Sequence, residues 1–296
     1  MKGILRGICR AVPFLLLAAV VLAVALFPRQ SAAEGESVRI VRVWNVDTFE
    51  GGKGSRTAFL KRAAELAERG RTGVRYLVTS VTAEGALDAL GRGELPDVLS
   101  YGGGLSAFEP HCLPLGERFA GEDRALPWCR GEYYLFSLTD DFESAGDVAI
   151  SVGGSNLACA AAYFAGVSGS ETESLSAYVD FLGGKYRYLL GTQRDKCRFA
   201  SRGAAVYAKP LTEFCDLYQY VSVLSEEAYD DALFFVNTLR SEAVQCQLGD
   251  IGMLPAAGAA GYTTGAFMTA ETSAALAQAV RAGEPRKNIE NFLKTV

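Results

Sequence analysis

Histidine is almost missing from this chain: His111 is the only one in 296 residues. One imidazole excludes multi-histidine metal sites and leaves little for most nucleophilic constellations. His111 stands beside Cys112 in a proline-bounded segment, where neighbouring residues seldom align as a thiol–imidazole pair, so a surface histidine is expected. The cysteines never form C-x-x-C, which argues against zinc or thioredoxin-type chemistry. Positive charge is not in surplus either. With 29 basic and 34 acidic residues, the chain offers no basic footprint for nucleic acid. The segment GGKGS at 51–55 lacks the spelling of a phosphate loop, because Gly54 separates Lys53 from Ser55. No long apolar run follows residue 27, so the remainder reads as a soluble body.

What is present begins with an export signature. Lys2, Arg6 and Arg10 precede an uncharged apolar run at 11–27, and Ser31, Ala32 and Ala33 suit a signal peptidase. The run falls short of the about 20 apolar residues that span a bilayer. Residues 1–33 are therefore expected to be a cleaved signal peptide, with an uncleaved anchor at 11–27 as the alternative. Their removal takes four basic residues and no acidic one, making the net charge of −5 more negative. Export permits disulfides among Cys112, Cys129, Cys159, Cys197, Cys215 and Cys246; buried free thiols are the alternative.

Roughly 260 residues remain, enough for one large domain or two small ones. Residues 38–44 form a β-rich apolar run broken only by Arg39 and Arg42. A glycine-rich loop follows, and Ser55 caps a helix in which Phe59, Leu60, Ala63, Ala64 and Ala67 recur at helical spacing. A strand at 74–81, a helix at 83–90 and a strand at 95–101 continue the alternation, which implies a mostly parallel sheet covered by helices. Loops after strand ends, such as Gly102-Gly103-Gly104, are where ligands are met in such sheets. Farther on, 126–138 is aromatic-rich and becomes a strand after Gly131, 147–159 is rich in glycine and small residues, and 175–182 is helical. A strand at 186–190 ends in a polar loop at 191–195; helices are expected at 226–239 and 272–282.

The order of four landmarks resembles the extracellular solute-binding proteins of ABC transporters. They are the VRVW strand with its loop and helix, LPDVLSYGG at 95–103, FLGGK at 181–185, and GDIGMLPA at 249–256 after a helix. The resemblance implies an α/β, two-lobed type II periplasmic-binding-protein-like fold without a cofactor or catalysis. Its first lobe would use 34–130 and the returning segment 216–296; the second lobe, 131–215, would be reduced, since only about 50 residues separate Tyr134 from Gly184. The implied partners are a small solute, sugar-like by preference, and a membrane permease, with the protein a monomer at the outer face of the cell membrane. The implied ligand-binding residues are Asn45, Asp47, Phe49, Tyr101 and Gly102 on the first lobe. Trp128, Arg130 and Tyr133 fall at the crossover, Gln193 and Arg194 on the second lobe, and Asp216, Tyr218 and Tyr220 near the return. A membrane-anchored sensor or interaction domain on a shortened fold of this kind is the alternative function.

Carbohydrate is favoured because aromatic faces stack on sugar rings while carboxylates, amides and guanidinium groups meet hydroxyls. Trp128 is the foremost stacking candidate, with core burial as its alternative. Tyr133 and Tyr134 point opposite ways in a strand, which argues against a shared iron site. Asp140 with Asp141, and Asp230 with Asp231, read as solvated charges.

Overall fold

Alternation of inward and outward side chains sets the first strand, β1 (Arg39–Val46): Val41, Val43 and Asn45 are fully buried, while Ile40 and Arg42 face solvent. In this computed structural model, residues 38–116, 124–142, 146–257 and 261–295 are described. The expected leader at 1–33, with its apolar run, lies outside them. Among the described residues no helix is long and apolar enough to cross a membrane.

After β1 the chain enters α1 (Arg56–Gly70), where Ser55 Oγ accepts from the Ala58 amide at 3.2 Å and Phe59, Leu60, Ala63, Ala64 and Ala67 form the buried stripe. β2 (Val74–Ser80), α2 (Ala83–Gly91) and β3 (Val98–Tyr101) follow, and β1 pairs in parallel with both β2 and β3. This is the βαβαβ unit that the sequence alternation predicts. β11 (Tyr218–Val223) pairs antiparallel with β3, and β4 (Leu126–Arg130) pairs antiparallel with β11 and so runs with β3, which gives the order β12-β4-β11-β3-β1-β2 with the short β12 (Leu254–Pro255), antiparallel to β4, at the edge. α6 (Tyr229–Leu239) packs beside α1 and is followed by the four-residue α7 (Glu242–Gln245).

A second sheet is built from β5 (Tyr133–Ser137), β6 (Val148–Val152), β7 (Gly169–Glu173), β8 (Tyr188–Thr192) and β9 (Tyr207–Leu211), in the order β7-β6-β8-β5-β9. One face is covered by α3 (Ala158–Phe164). The other carries α4 (Ser174–Leu182) and α5 (Gln193–Arg202), where Tyr134, Phe136, Tyr178, Phe181, Leu189 and Phe199 make a separate core. The fold is thus two-lobed α/β with a smaller second lobe. Only Gly131 and Glu132 separate β4 from β5, and the return to β11 passes through the two-residue β10 (Phe214–Cys215). These two connections touch: the Gly131 amide donates to the Leu217 carbonyl at 2.6 Å. α8 (Ala270–Arg281) packs on α3 and is followed by α9 (Arg286–Leu293).

Several expectations need correction. The polar loop foreseen at 191–195 is the start of α5: Thr192 Oγ1 accepts from the Arg194 amide at 3.3 Å, and Asp195 Oδ2 accepts from the Thr192 amide at 3.1 Å. Asp231 is not a solvated charge. It is buried and pairs with Arg39 at 3.0 Å and Arg71 at 2.5 Å, anchoring α6 to the first sheet. All six cysteines beyond the leader are free thiols. Cys112 is buried and donates to the Phe108 carbonyl rather than facing the exposed His111.

Candidate functional site

Asn45, fully buried near the end of β1, ties the first lobe's loops together. Its Oδ1 accepts from Ser100 Oγ at 3.0 Å and Gln219 Nε2 at 3.2 Å, and its Nδ2 donates to Asp47 Oδ1 at 3.0 Å and Thr57 Oγ1 at 2.9 Å. Asp47 in turn pairs with Arg56 at 2.7 Å. The guanidinium of Arg56, almost wholly buried, lies 4.2 Å from the centre of the Phe49 ring and donates to the Phe49 carbonyl. A buried charge of this kind is tolerable only with such partners. The cluster presents Thr48 and Phe49 to the outside of the first lobe. Gly102 is needed beneath them, since a Cβ there would stand 2.0 Å from Thr48 Oγ1.

The facing wall comes from the second lobe. After β6 the chain turns through Gly153, Gly154, Ser155 and Asn156 into α3. Gly154 has φ +63° and packs so closely that a Cβ would come 3.3 Å from the Thr48 carbonyl. Ser155 Oγ donates to that same carbonyl at 2.9 Å, a direct bond between the lobes. Between the walls is a cleft of about 400 Å³. Thr48, Phe49, Gly103 and Gly104 line one side, the 152–159 segment lines the other, and one face of α8 (Ala270, Ser273, Ala274, Ala277, Arg281) closes the third. Arg281 makes a two-pronged bridge to Glu171 of β7, at 2.7 and 2.8 Å.

Asp216, on the return connection, also lines the cleft. Its Oδ1 accepts from the Tyr133 hydroxyl and its Oδ2 from the Leu157 amide, each at 2.7 Å. Burial pushes its carboxyl up to about 6, against the lowering effect of hydrogen bonds from Tyr133, the Leu157 amide and its own backbone amide.

Of the residues expected at the ligand, Phe49 and Asp216 line this cleft, while Asn45, Asp47 and Gly102 lie directly behind its first wall. Trp128 does not: it is fully buried, stacked on Phe59 at 5.7 Å, with Nε1 donating to Ser100 Oγ at 3.2 Å. Its position on an inner strand beneath α1 leaves no face for a sugar. Tyr101 is likewise enclosed, between Tyr220 and Phe267, and Tyr133 reaches the cleft only through its bond to Asp216. Tyr218 and Tyr220 are buried neighbours with ring centres 6.0 Å apart. Gln193 and Arg194 join the lobes instead of lining the cleft. Gln193 Nε2 donates to the Glu50 carbonyl at 3.0 Å and its Oε1 accepts from the Glu132 amide at 3.0 Å; Arg194 pairs with the Glu50 carboxylate. Arg130 stays at the crossover, bonded to Glu132 at 3.3 Å.

Sequence reasoning missed the 153–156 loop and the cleft face of α8. The loop carried a signal, a glycine pair after a strand, the same feature seen at Gly102 and Gly103. The α8 face carried none, because alanine and serine there look like any solvated helix.

No family model matches the sequence, and no curated protein matches it. Solved structures do match in shape. The chain is similar to the sugar-binding protein MalE from the phytopathogen Xanthomonas citri, with a TM-score of 0.55 and 12% identity over 87% of this chain and 96% of that one. It is similar to the maltose-maltodextrin binding protein of Alicyclobacillus acidocaldarius, with a TM-score of 0.54 and 12% identity over 86% and 99%. The GacH receptor of Streptomyces glaucescens, solved unliganded and with acarbose, gives a TM-score of 0.50 and 14% identity over 86% and 97%. These likenesses establish the two-lobed periplasmic-binding-protein fold. The neighbours are binding proteins rather than enzymes.

Proposed function

We propose that this protein is an exported solute-binding protein that captures a small polar solute in the cleft between its lobes and delivers it to an ABC-type permease. It acts as a monomer at the outer face of the membrane. The observation that carries the reading is the cleft itself: about 400 Å³, within the size range of small-molecule sites, walled by strand-end loops of both sheets. Capture is noncovalent. Closure is governed by residues 131–132 and 212–217, which join a first lobe of 34–130 and 216–296 to a second lobe of 131–215, and is favoured by contacts that the solute makes to both walls.

Carbohydrate, the class named for two of the solved neighbours, draws less support from the cleft. Phe49 is the only aromatic ring among its described lining residues, and Trp128, the foremost stacking candidate, is buried. A thermal-shift screen of the purified protein against sugars, amino acids, polyamines and oxyanions tests the proposal, because a solute that binds only the folded state raises Tm. A raised Tm with one class is the expected result; a flat response to all four classes would remove the proposal's support.

A further inference from the structure

We infer that the solute held in the cleft carries a cationic group, an ammonium or a guanidinium, and that the carboxylate of Asp216 is its counter-ion. The inference rests on the solute-binding reading and deepens it. The charged side chains lining the cleft are Glu171, Asp216 and Arg281. Arg281 and Glu171 satisfy one another through their two-pronged bridge. Asp216 has no such partner: among the described residues, none of the ion pairs includes it.

Its hydrogen bonds come from neutral donors, the Tyr133 hydroxyl, the Leu157 amide and its own backbone amide. A carboxylate has about four lone-pair sites, so one remains available to a cation. The Tyr133 and Leu157 donors come from β5 and from the N-terminal end of α3, and they fix the carboxylate before any solute arrives, which lowers the ordering cost of binding. Burying an ionised carboxylate with no cation is costly, and a cation placed against it recovers that cost. The other titratable groups facing Asp216 do not supply one. They are the Tyr133 phenol and the Cys159 and Cys215 thiols, all held protonated by burial.

The position matters as much as the charge. Asp216 sits on the return connection between the sheets while bonded to β5 and α3 of the second lobe, so a cation resting on it contacts the joint about which the lobes move. Burial also holds the carboxyl at about 6, so it is largely ionised at neutral pH and loses its charge in mild acid.

Isothermal titration calorimetry of the full chain with putrescine, L-arginine, maltose and sodium sulfate tests the inference. At pH 7.5, putrescine or L-arginine binds, at least tenfold more weakly at pH 5 and at least tenfold more weakly in Asp216→Asn. Binding of maltose or sulfate without either amine would overturn the inference and leave the solute-binding reading standing. Amine binding of equal strength in Asp216→Asn would overturn it as well. Failure of all four probes at pH 7.5 would count against both. Should Asp216→Asn not fold, proton counting with the wild type decides: titrations at pH 6 in buffers of different ionisation enthalpy show protons released on amine binding, and binding without release would contradict the counter-ion role.

Discussion

The carboxylate of Glu50, on the loop after β1, pairs with the guanidinium of Arg194 in the first turn of α5, joining the two lobes by a direct ionic contact. Both side chains are about a third exposed, so the pair is screened and worth at most about 1 kcal/mol. The neighbouring Gln193 is nearly enclosed and bonds backbone groups of both lobes. Removing it strands a buried donor and acceptor, at about 1–3 kcal/mol. Urea denaturation is expected to rank Gln193→Ala as more destabilising than Glu50→Ala, with salt diminishing only the Glu50→Ala effect.

Trp128 fills the space beneath α1 rather than facing a ligand. Trp128→Ala removes its stacking on Phe59 and its bond to Ser100, and such a truncation costs about 3–5 kcal/mol. Chemical denaturation of this variant should show a large fall in midpoint. A folded variant of unchanged stability would place the ring outside the core.

Gly102→Ala is a test of the first wall. The added methyl would stand 2.0 Å from Thr48 Oγ1 and 3.2 Å from the Phe49 ring, so the loop must shift. Solute affinity is expected to fall at least tenfold with Tm lowered only by a few degrees, while Gly91→Ala, outside the cleft lining and with open space for a Cβ, leaves solute affinity near wild type.

Asp216 gives stability a pH dependence of definite sign. Its folded value of about 6 lies above the unfolded value of about 3.9, so between those limits the folded state binds more protons than the unfolded one. Raising the pH through that window therefore lowers stability, and the loss is complete above the folded value. Asp216→Asn should gain in stability relative to wild type as pH rises from about 4 to about 7. Thermal melts of both proteins across that range check the sign.

Much of the first lobe was legible because its signals are local. Ser55 before the stripe of Phe59, Leu60, Ala63 and Ala64 is a helix start by capping and period alone. α3 was not legible: Ala158, Cys159, Ala160, Ala161 and Ala162 are buried nearly all round, so no amphipathic period marks them. The start of α5 was missed although Thr192 and Asp195 stand at capping-box spacing, a short polar cue that resembles a loop.

The site divides in the same way. Phe49 was proposed from its strand end and Asp216 from the family resemblance, but the aromatic residues beside them could not be sorted by sequence into wall and core. Trp128, Tyr101 and Tyr133 lie on strands near both lobes, and whether such a ring faces a solute depends on what covers it. Phe59 covers Trp128, and Phe267 covers Tyr101. Both contacts join residues far apart in the chain, which no local pattern encodes.

The central claim is that a small solute occupies the cleft walled by Thr48, Phe49, the 153–156 loop and α8. Ala274 lies on the cleft face of α8, and Ala274→Trp would fill that space. Calorimetric titration of wild type and Ala274→Trp with sugars, amino acids, polyamines and oxyanions is the most direct test. A solute bound by the wild type and not by the folded variant is the predicted result; equal binding by both, or none by the wild type, would contradict it.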